Sequence, residues 1–470
     1  MQAKGSKLLA SALSEAAPTP FWTDRPERPS STDPLTTATD ADLAVIGGGY
    51  SGLWTALLAK ERDPGLDVVL IESGLCGHAA SGRNGGFCAA SLTHGLSNGV
   101  DRFPDEIGDL ERLGRKNLDE IESAIRRYDI DCDFERTGEM EVATAPHELE
   151  WLRESHDAAV DLGYRSELLD AQGAQQMVHS PTYLGGRWDR DGVAMLDPAR
   201  LAWGLRRACL KKGVRIFEGT PVQRISKTQG ALDLHTPHGE VRAPRVALCT
   251  SAFQGPLAKV SRHVVPVYDY ALMTEPLTAQ QLESIGWAGR MGLGDASYRF
   301  HYYRLTSDNR ILFGGYDAIY HFGSKIAPGL ECNEATFETL AQHFFQTFPQ
   351  LDGLRFTHRW GGIIDTCGRF CAFFGSAFKG KLAYAAGYTG LGVGATRFGA
   401  EVMLDRLWNL DTERTRLRMV RSRPLPLPPE PLRSAGIHLT RWSMARADAH
   451  QGRRNLWLKT MELTGLGFDS

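Results

Sequence analysis

The amino-acid sequence predicts an α/β fold in which a Rossmann-like nucleotide-binding domain is interleaved with an α+β domain built on an antiparallel sheet. A strand, a helix and a second strand follow one another between residues 42 and 72, with a glycine-rich turn after the first strand. Apolar and polar residues alternate at 264–277, 297–306 and 309–317, which is typical of antiparallel strands. A strand, a glycine turn and a helix return at 381–408, so the nucleotide-binding domain is expected to use separate parts of the chain.

Length, charge and cysteine content set the broad class. The 470 residues are enough for two or three domains, and the net charge of −3 gives no sign of a nucleic-acid partner. The eight cysteines are scattered without metal-ligand spacing, so we expect reduced thiols and no metal. The first 20 residues lack the apolar core of a secretory signal, and no stretch approaches the roughly 20 apolar residues that span a bilayer. A cytoplasmic protein without a membrane span is therefore expected.

The two domains are predicted to be discontinuous in the chain. The nucleotide-binding domain comprises residues 41–100, 195–260 and 355–420, and the second domain comprises residues 101–194 and 261–354. This division follows from nucleotide-binding motifs at the start, middle and end of the chain, with sheet segments between them.

Both ends of the chain are expected to lie outside the domains. Residues 1–40 are rich in Ser, Thr, Pro and Ala and predict an extended arm. The Phe21-Trp22 pair within this arm is expected to dock onto the body of the protein. Residues 421–470 begin with a proline-rich strap and continue as helical segments.

The first glycine-rich turn predicts a dinucleotide site. Gly47, Gly49 and Gly52 permit a tight turn, close approach of a diphosphate and close packing of helix on strand. The diphosphate would lie at the helix N-terminus, where unpaired N–H groups favour negative charge. Glu72 ends the second strand, 20 residues after Gly52, where a carboxylate accepts hydrogen bonds from ribose hydroxyls. This site alone does not distinguish NAD from FAD.

A second glycine-rich loop, "GHAASGRNGG" at 77–86, favours FAD. An NAD site usually needs no further phosphate-binding glycines here, whereas the flavin half of FAD extends across the domain and needs close backbone contacts. In this loop Ser81 offers a hydroxyl and Asn84 an amide, and Arg83 would neutralise phosphate or fix the loop. The glycines that would allow close approach are Gly82, Gly85 and Gly86.

These motifs resemble the D-amino-acid oxidase/glycine oxidase superfamily of FAD-dependent amine oxidoreductases, and most closely its gamma-glutamylputrescine oxidase-like members. The likeness covers most of the chain and includes "GGGYSGL", "ASGRNGG", "LDPARL", "VPVYDYALMTEPL", "YYRLTSDNRILFGG", "RWGG" and "GYTGLGVGATRFGAEVM". It implies an FAD-binding domain and an antiparallel-sheet substrate domain. It also implies hydride transfer from an amine to flavin N5, giving an imine that hydrolyses to an aldehyde or keto product.

The resemblance extends the cofactor site to a third glycine turn, "GYTGLGVG" at 387–394, which precedes a helix beside the pyrimidine carbonyl of flavin. A helix N-terminus there would stabilise the anionic charge of reduced flavin. Val222 matches the position that meets adenine. The residues expected to bind FAD are Gly47, Gly49, Tyr50, Ser51, Gly52, Glu72, Ser73, Ser81, Gly82, Arg83, Asn84, Gly85, Gly86, Val222, Gly387, Thr389, Gly390, Leu391 and Gly392.

FAD is expected to be held without a covalent bond. The cysteine that tethers flavin in sarcosine-oxidase relatives aligns with Gly361 or Gly362, several residues from Cys367 and Cys371. His78 occupies a loop whose register differs from that of histidyl-flavin relatives.

The substrate is expected to be a primary or secondary amine of polyamine, N-substituted amino acid or aminophosphonate type. The resemblance places His301, Tyr303 and Tyr316 nearest to it, although the "YRFHYYR" strand could instead present the face of Tyr302. The family's oxygen-activating lysine aligns near Leu312, so the electron acceptor is oxygen or unknown. An NAD-dependent dehydrogenase and a non-catalytic flavin-binding protein remain the alternatives.

Overall fold

The structure is a computed structural model that describes residues 9–253 and 255–463; the first eight residues of the predicted arm and the last seven of the chain lie outside the described residues. Residues 9–13 are helical. The other α-helices span Tyr50–Arg62, Leu96–Arg102, Ile107–Arg127, Glu148–Asp161, Ala171–Met177, Pro198–Lys211, Ala258–Ser261, Ala279–Ile285, Glu334–Thr347, Gly392–Leu407, Glu413–Arg416, Arg418–Arg421, Leu432–Ala449 and Leu456–Leu463. Short 3₁₀ turns lie at Ala80–Gly82, Phe322–Ser324, Pro328–Glu331, Pro349–Leu351 and Phe378–Gly380.

Within the described residues, one sheet has six strands and is parallel except for one edge strand. Its spatial order is Phe373–Ala377, Leu382–Ala386, Arg245–Leu248, Leu43–Ile46, Val68–Ile71 and Arg215–Phe217. Every residue of Leu43–Ile46 and of Val68–Ile71 is buried, because helices such as Tyr50–Arg62 and Gly392–Leu407 pack against the sheet. This parallel sheet confirms the Rossmann-like part of the predicted fold.

A nine-stranded sheet, counted over the same residues, forms the second domain. Its spatial order is Ile319–Tyr320, Val265–Thr274, Ile311–Gly315, His301–Leu305, Gly292–Asp295, Glu139–Ala143, Gly185–Asp189 and Ser166–Asp170, with Phe356–Thr366 paired to Val265–Thr274. Its strand pairs are antiparallel except for Gly292–Asp295 with Glu139–Ala143. The antiparallel-sheet α+β domain was therefore predicted correctly, and we call this sheet the large sheet.

Two smaller sheets complete the strands. Thr39–Asp40, Glu240–Ala243, Leu232–His235 and Arg224–Lys227 form one, and Phe87–Ala89 pairs with Val193–Met195 in the other. The second of these sheets connects the glycine-rich loop at 77–86 to the start of the helix Pro198–Lys211. Asp197 caps that helix by accepting a hydrogen bond from the Arg200 N–H at 3.0 Å.

One predicted boundary differs from the structure. The segment 355–420 was assigned to the nucleotide-binding domain, but its first strand, Phe356–Thr366, belongs to the large sheet. The physical reason is its long antiparallel pairing with Val265–Thr274, which sequence periodicity does not reveal. Strands of the parallel sheet in this segment begin only at Phe373. The other domain boundaries remain predictions.

The N-terminal arm packs against the body through its aromatic pair. Phe21 and Trp22 are buried beside Leu312 and Trp360 of the large sheet. The arm is also held by an ion pair between Arg25 and the helix-capping carboxylate of Asp197.

Candidate active site

A cavity of about 1910 Å³ lies between the carboxyl ends of the parallel strands and one face of the large sheet. Ligand pockets commonly measure about 300–1000 Å³, so this cavity has room for more than one ligand group. All three glycine-rich segments that the sequence analysis identified line it, together with Glu72 and Val222.

The first turn requires glycine for steric reasons. Gly47 has a φ of +110°, and a Cβ atom there would lie 2.4 Å from the carbonyl oxygen of Cys249. A Cβ at Gly52 would lie 1.8 Å from the carbonyl oxygen of Gly47, so only glycine lets the helix start against the strand. The N-cap residue of the helix Tyr50–Arg62 is Gly49, which has no side chain to cap the helix. The helix N-terminus opens into the cavity. Such a terminus attracts a diphosphate.

Residues around this helix start are joined by hydrogen bonds. The Tyr50 N–H donates to the Ser81 hydroxyl at 2.9 Å, which connects the first turn to the second loop. The Ser51 hydroxyl lies 3.3 Å from the Tyr388 hydroxyl, which connects it to the third turn. The three glycine-rich segments therefore form one continuous cradle.

Glu72 lies where the sequence predicts, just after the strand Val68–Ile71. Its carboxylate accepts hydrogen bonds from the N–H groups of Gly48 at 2.6 Å and Gly74 at 2.7 Å, and from the Ser73 hydroxyl at 3.1 Å. Because a carboxylate has about four acceptor positions, it retains capacity for a ribose hydroxyl.

The side chains of the second loop mainly hold the loop in place. Arg83 donates to the carbonyl oxygens of His78 at 3.0 Å and Gly361 at 3.1 Å, and pairs with Glu331. Of the two roles predicted for Arg83, the described contacts favour fixing the loop. Asn84 likewise donates to the Ala80 carbonyl and accepts from the Gly86 N–H, each at 2.9 Å.

The glycines of this loop allow close packing. A Cβ at Gly82 would lie 2.2 Å from the Gly77 carbonyl oxygen, and one at Gly86 would lie 2.1 Å from the Leu196 carbonyl oxygen. A Cβ at Gly85 would lie 2.8 Å from the Tyr302 ring, so this glycine brings the loop against the large sheet.

The third turn has left-handed backbone at three positions, with φ of +74° at Gly387, +49° at Thr389 and +93° at Gly390. Leu391 and Gly392 lead from this turn into the helix Gly392–Leu407, whose N-terminus has no side-chain cap. The turn is also held by Asp365, whose carboxylate accepts a hydrogen bond from the Gly387 N–H at 2.8 Å.

Sequence reasoning missed Asp365, which lies on the cavity wall. Burial raises the pKa of its carboxyl group to about 6, while hydrogen bonds from the backbone of the turn oppose the rise. No motif marks this position, because its role depends on the strand Phe356–Thr366 reaching the turn.

The predicted substrate wall is shifted by one residue. Tyr303 and His301 were expected to face the flavin, but the cavity is lined by Phe300 and Tyr302 instead. Tyr303 is 2% exposed, and its hydroxyl lies 2.8 Å from that of Tyr183, inside the core behind the sheet. Successive side chains of a strand point to opposite faces, so a one-residue change of register exchanges the two sets.

His301 lies at the edge of this core, away from the cavity lining. Its Nδ1 atom lies 2.6 Å from the Asp295 carboxylate, and its Nε2 atom lies 2.9 Å from Nδ1 of His343. Tyr316 does line the cavity, with a φ of +66° and its ring stacked on that of His301. The three predicted catalytic residues are therefore close together, but Tyr316 alone of them reaches the cavity.

Tyr302 and Asp269 form the polar feature of this wall that the sequence analysis did not assign. The Tyr302 hydroxyl donates to the Asp269 carboxylate at 2.6 Å. Burial raises the pKa of Asp269 to about 6, and the hydrogen bond from Tyr302 partly opposes this rise. The ring of Tyr302 lies over Gly314, where a Cβ would come within 2.7 Å of it. Gly314, a glycine opposite an aromatic residue of an alternating strand, was the signal in the sequence that could have identified this wall.

His78 and Cys367, two of the residues considered for a covalent tether, lie on the cavity. Burial lowers the pKa of His78 and raises that of the Cys367 thiol to about 11. The Cys367 thiol donates towards the carbonyl oxygens of Cys371 at 3.3 Å and Gly387 at 3.5 Å. A thiol with a raised pKa is a poor nucleophile.

The described residues contain neither a metal-binding cluster nor a membrane-spanning helix. Across residues 9–253 and 255–463, no cluster of three or more His, Cys, Asp or Glu side chains is arranged to hold a metal ion. Within those same limits, no helix is both long and apolar enough to cross a bilayer.

The sequence is similar to two bacterial oxidoreductases. It is 32% identical over 384 residues to gamma-glutamylputrescine oxidoreductase of Escherichia coli (strain K12), covering 80% of this chain and 85% of that protein. It is 29% identical over 388 residues to the probable oxidoreductase OrdL of Haemophilus influenzae, covering 80% and 84%.

Solved structures and a family model agree with the architecture. Glycine oxidase from Geobacillus kaustophilus superposes with a TM-score of 0.68 at 20% identity, covering 82% of this chain and 99% of that one. L-proline dehydrogenase from P. horikoshii superposes with a TM-score of 0.67 at 16% identity, covering 81% and 96%. The family model for FAD dependent oxidoreductases (DAO) matches residues 42–406. The glycine cradle, the two interleaved sheets and this match together establish that the chain belongs to the DAO family of FAD-dependent oxidoreductases.

Proposed function

We propose that this protein oxidises the C–N bond of a primary or secondary amine. The observation that carries the proposal is the Tyr302–Asp269 pair, which lines the cavity where the Tyr302 ring packs against Gly85 of the second glycine loop. A buried carboxylate with a phenolic partner can accept an N–H of the amine and orient its α-carbon. The name of the 32% identical relative, a gamma-glutamylputrescine oxidoreductase, also supports a substrate of polyamine type.

The residues of the cradle fit FAD. The start of the helix Tyr50–Arg62 would hold the diphosphate, Glu72 the adenosine ribose and the turn 387–392 the pyrimidine edge of the ring system. Bound FAD would supply an acceptor for the two electrons and the hydrogen that leave the α-carbon.

The protein side chains exclude water and hold the amine. Tyr302, Phe300 and Tyr316 form an aromatic wall, and Asp269 accepts a hydrogen bond from the nitrogen. Loss of two electrons, one α-hydrogen and one N–H proton converts the amine to an imine. Water then adds to the imine carbon and releases an aldehyde or keto product with ammonia or a shorter amine. N-substituted amino acids and aminophosphonates are the other substrate types that we propose.

Anaerobic mixing with amines tests this function. The purified yellow protein should lose its flavin absorbance when mixed with a polyamine, an N-alkyl amino acid or an aminophosphonate. A colourless protein that reduces NAD would instead support a dehydrogenase. A yellow protein that no amine bleaches would support a non-catalytic flavin-binding protein. Readmitting oxygen then identifies the acceptor, because rapid return of colour indicates an oxidase.

We also propose that FAD is held non-covalently and that the protein works in the cytoplasm, where its buried thiols remain reduced. Acid precipitation should release all of the yellow colour into the supernatant, because the raised pKa of the Cys367 thiol makes it a poor nucleophile. Colour that stays with the pellet would contradict the proposed binding mode.

A further inference from the structure

The cavity continues past Tyr302 into a second compartment that the proposed chemistry does not use. Its walls come from the start of the strand Glu139–Ala143, from the strand Gly185–Asp189 and from the helices Ile107–Arg127 and Glu148–Asp161. We call it the distal chamber, defined by Glu111, Glu139, Glu141, Trp151, Tyr164 and Asp189.

Strand pairing gives the distance from Tyr302 to the distal chamber. Tyr302 lies opposite Gly294, and Gly294 lies opposite Glu141 on the next strand. Neighbouring strands are about 4.8 Å apart, so Glu141 lies about 10 Å from Tyr302 across the face of the sheet. Between them Gly294 forms the floor, where a Cβ would make ordinary contact at 3.6 Å with the Glu139 carboxylate and with the His301 carbonyl oxygen.

Two carboxylates of the distal chamber have no partner among the described residues. Glu111 is 4% exposed and Glu139 is half-buried, and neither forms a side-chain hydrogen bond or an ion pair within residues 9–253 and 255–463. By contrast, Glu141 pairs with Arg187 at 3.3 Å, and Asp189 accepts hydrogen bonds from two backbone N–H groups. A buried carboxylate without a partner is costly, so it indicates a site that a cation completes.

The charges around the Glu111 and Glu139 carboxyl groups favour the binding of a cation beside them. Burial raises the pKa of Glu111 and of Glu139 to about 7, and in both cases the nearby Asp189 adds to the rise. Arg115 opposes the rise at Glu111, and Arg187 opposes it at Glu139. A bound cation would restore the ionised form of both groups.

We propose that the distal chamber binds a second ammonium group of the amine substrate, carried on the far side of Gly294 from the C–N bond that is oxidised. This rests on the proposed function and deepens it, since the chamber selects long diamines over monoamines. The methylene chain would cross the floor at Gly294, and the ring of Trp151 supplies an apolar wall. An ammonium fits better than a metal ion, because the described residues hold no cluster with metal-binding arrangement.

A matched pair of substrates tests the proposal. Octanediamine and octylamine share one chain and differ in the distal ammonium. In Glu139→Gln and Glu111→Gln, the octanediamine concentration that half-saturates flavin reduction should rise about 10–100-fold, because a hydrogen bond to a charged group is lost. The octylamine concentration that half-saturates flavin reduction should not change, and neither should the limiting rate of flavin reduction. The control is Glu150→Gln, an exposed residue outside the cavity that pairs with Arg153.

A second variant tests the path past Gly294, which lies beside the Glu139 carboxylate. Gly294→Leu would fill the floor and should impair octanediamine while leaving octylamine oxidation intact. Equal losses for both amines in all three variants would overturn the proposal and leave amine oxidation standing.

A binding measurement keeps the two proposals distinguishable. An octane chain with trimethylammonium at each end should raise the melting temperature of the holoenzyme, and Glu139→Gln should remove this rise. If that holds while no amine reduces the flavin, the oxidation fails and the cation chamber stands. If Mg²⁺ or Ca²⁺ gives the Glu139-dependent rise and the dication does not, the chamber is a metal site and the proposal is wrong.

Discussion

At the scale of single residues, backbone requirements were easier to predict than side-chain direction. Gly47 and Gly52 were assigned correctly to the turn because only glycine fits between the strand and the helix. Tyr303 was assigned to the wrong face, because an aromatic strand of alternating Tyr and Phe contains no marker of which face meets the cavity. That choice depends on Gly314 and Gly85, which accept the ring of Tyr302 and come from distant parts of the chain.

Substitution of the two neighbouring tyrosines distinguishes the faces. Tyr302→Phe should slow flavin reduction by up to about 100-fold at saturating amine, because the hydroxyl that orients Asp269 is lost and a misplacement of about 1 Å costs that much. Tyr303→Phe removes a hydroxyl in the core and should leave the rate within about twofold. Rapid-mixing absorbance gives both rates. If Tyr303→Phe slowed flavin reduction more than Tyr302→Phe, the face of the strand that contains Tyr303 would be the one that meets the substrate.

Asp269 predicts a pH dependence with a defined sign. Because burial raises its pKa to about 6, it is neutral below that pH and ionised above it. The ionised form is the stronger acceptor of an amine N–H, so reduction should speed up as the pH rises through about 6. In Asp269→Asn this acid limb should disappear, while the limb due to the amine itself remains at higher pH. A limb near pH 6 that persists in Asp269→Asn would exclude this carboxylate.

At the scale of elements, the two helices that follow glycine turns lie in the regions where the sequence predicts them. The helix predicted between residues 42 and 72 is Tyr50–Arg62, and the helix predicted at the end of 381–408 is Gly392–Leu407. Periodicity and glycine turns are local signals, so these elements could be found. The strand Phe356–Thr366 could be placed in a sheet only from its pairing with Val265–Thr274, which is a non-local property.

The N-terminal arm is an element whose stabilising contribution can be measured. Trp22 is 2% exposed and packs with Leu312 and Trp360, so Trp22→Ala should cost about 3–5 kcal/mol of unfolding free energy. Thermal unfolding of the holoprotein would show this as a lower melting temperature. The matched control is Trp442→Ala, since Trp442 is 54% exposed on the helix Leu432–Ala449. Equal small losses in both variants would mean that the arm contributes little to stability.

At the scale of the whole molecule, the two sheets meet around one cavity, and the cofactor cradle is built from both early and late parts of the chain. The fold class and the FAD site followed from motifs that carry backbone geometry. The distal chamber did not, because its carboxylates come from the helix Ile107–Arg127 and the strands Glu139–Ala143 and Gly185–Asp189, with no shared spacing in the sequence.

Because FAD would contact all three glycine segments, its binding should stabilise the whole protein. A ligand at 100 times its dissociation constant adds about 2.7 kcal/mol to the unfolding free energy. Removal of FAD should therefore lower the melting temperature, and added FAD should restore it in a concentration-dependent way. Adenosine diphosphate should restore part of the loss, since the first turn and Glu72 alone would bind it. A melting temperature independent of FAD would contradict a cradle shared by the three segments.

The order of strands in the parallel sheet also has a consequence for biosynthesis. Arg245–Leu248 pairs with Leu43–Ile46 on one side, but its other neighbour, Leu382–Ala386, is made more than 130 residues later. At about 5–20 residues per second, one edge of Arg245–Leu248 would remain unpaired in the nascent chain for about 7–27 seconds. The newly made polypeptide should therefore depend on chaperones until translation nears its end. Since the third glycine turn follows immediately after Leu382–Ala386, capture of FAD would report that synthesis has reached the last fifth of the chain.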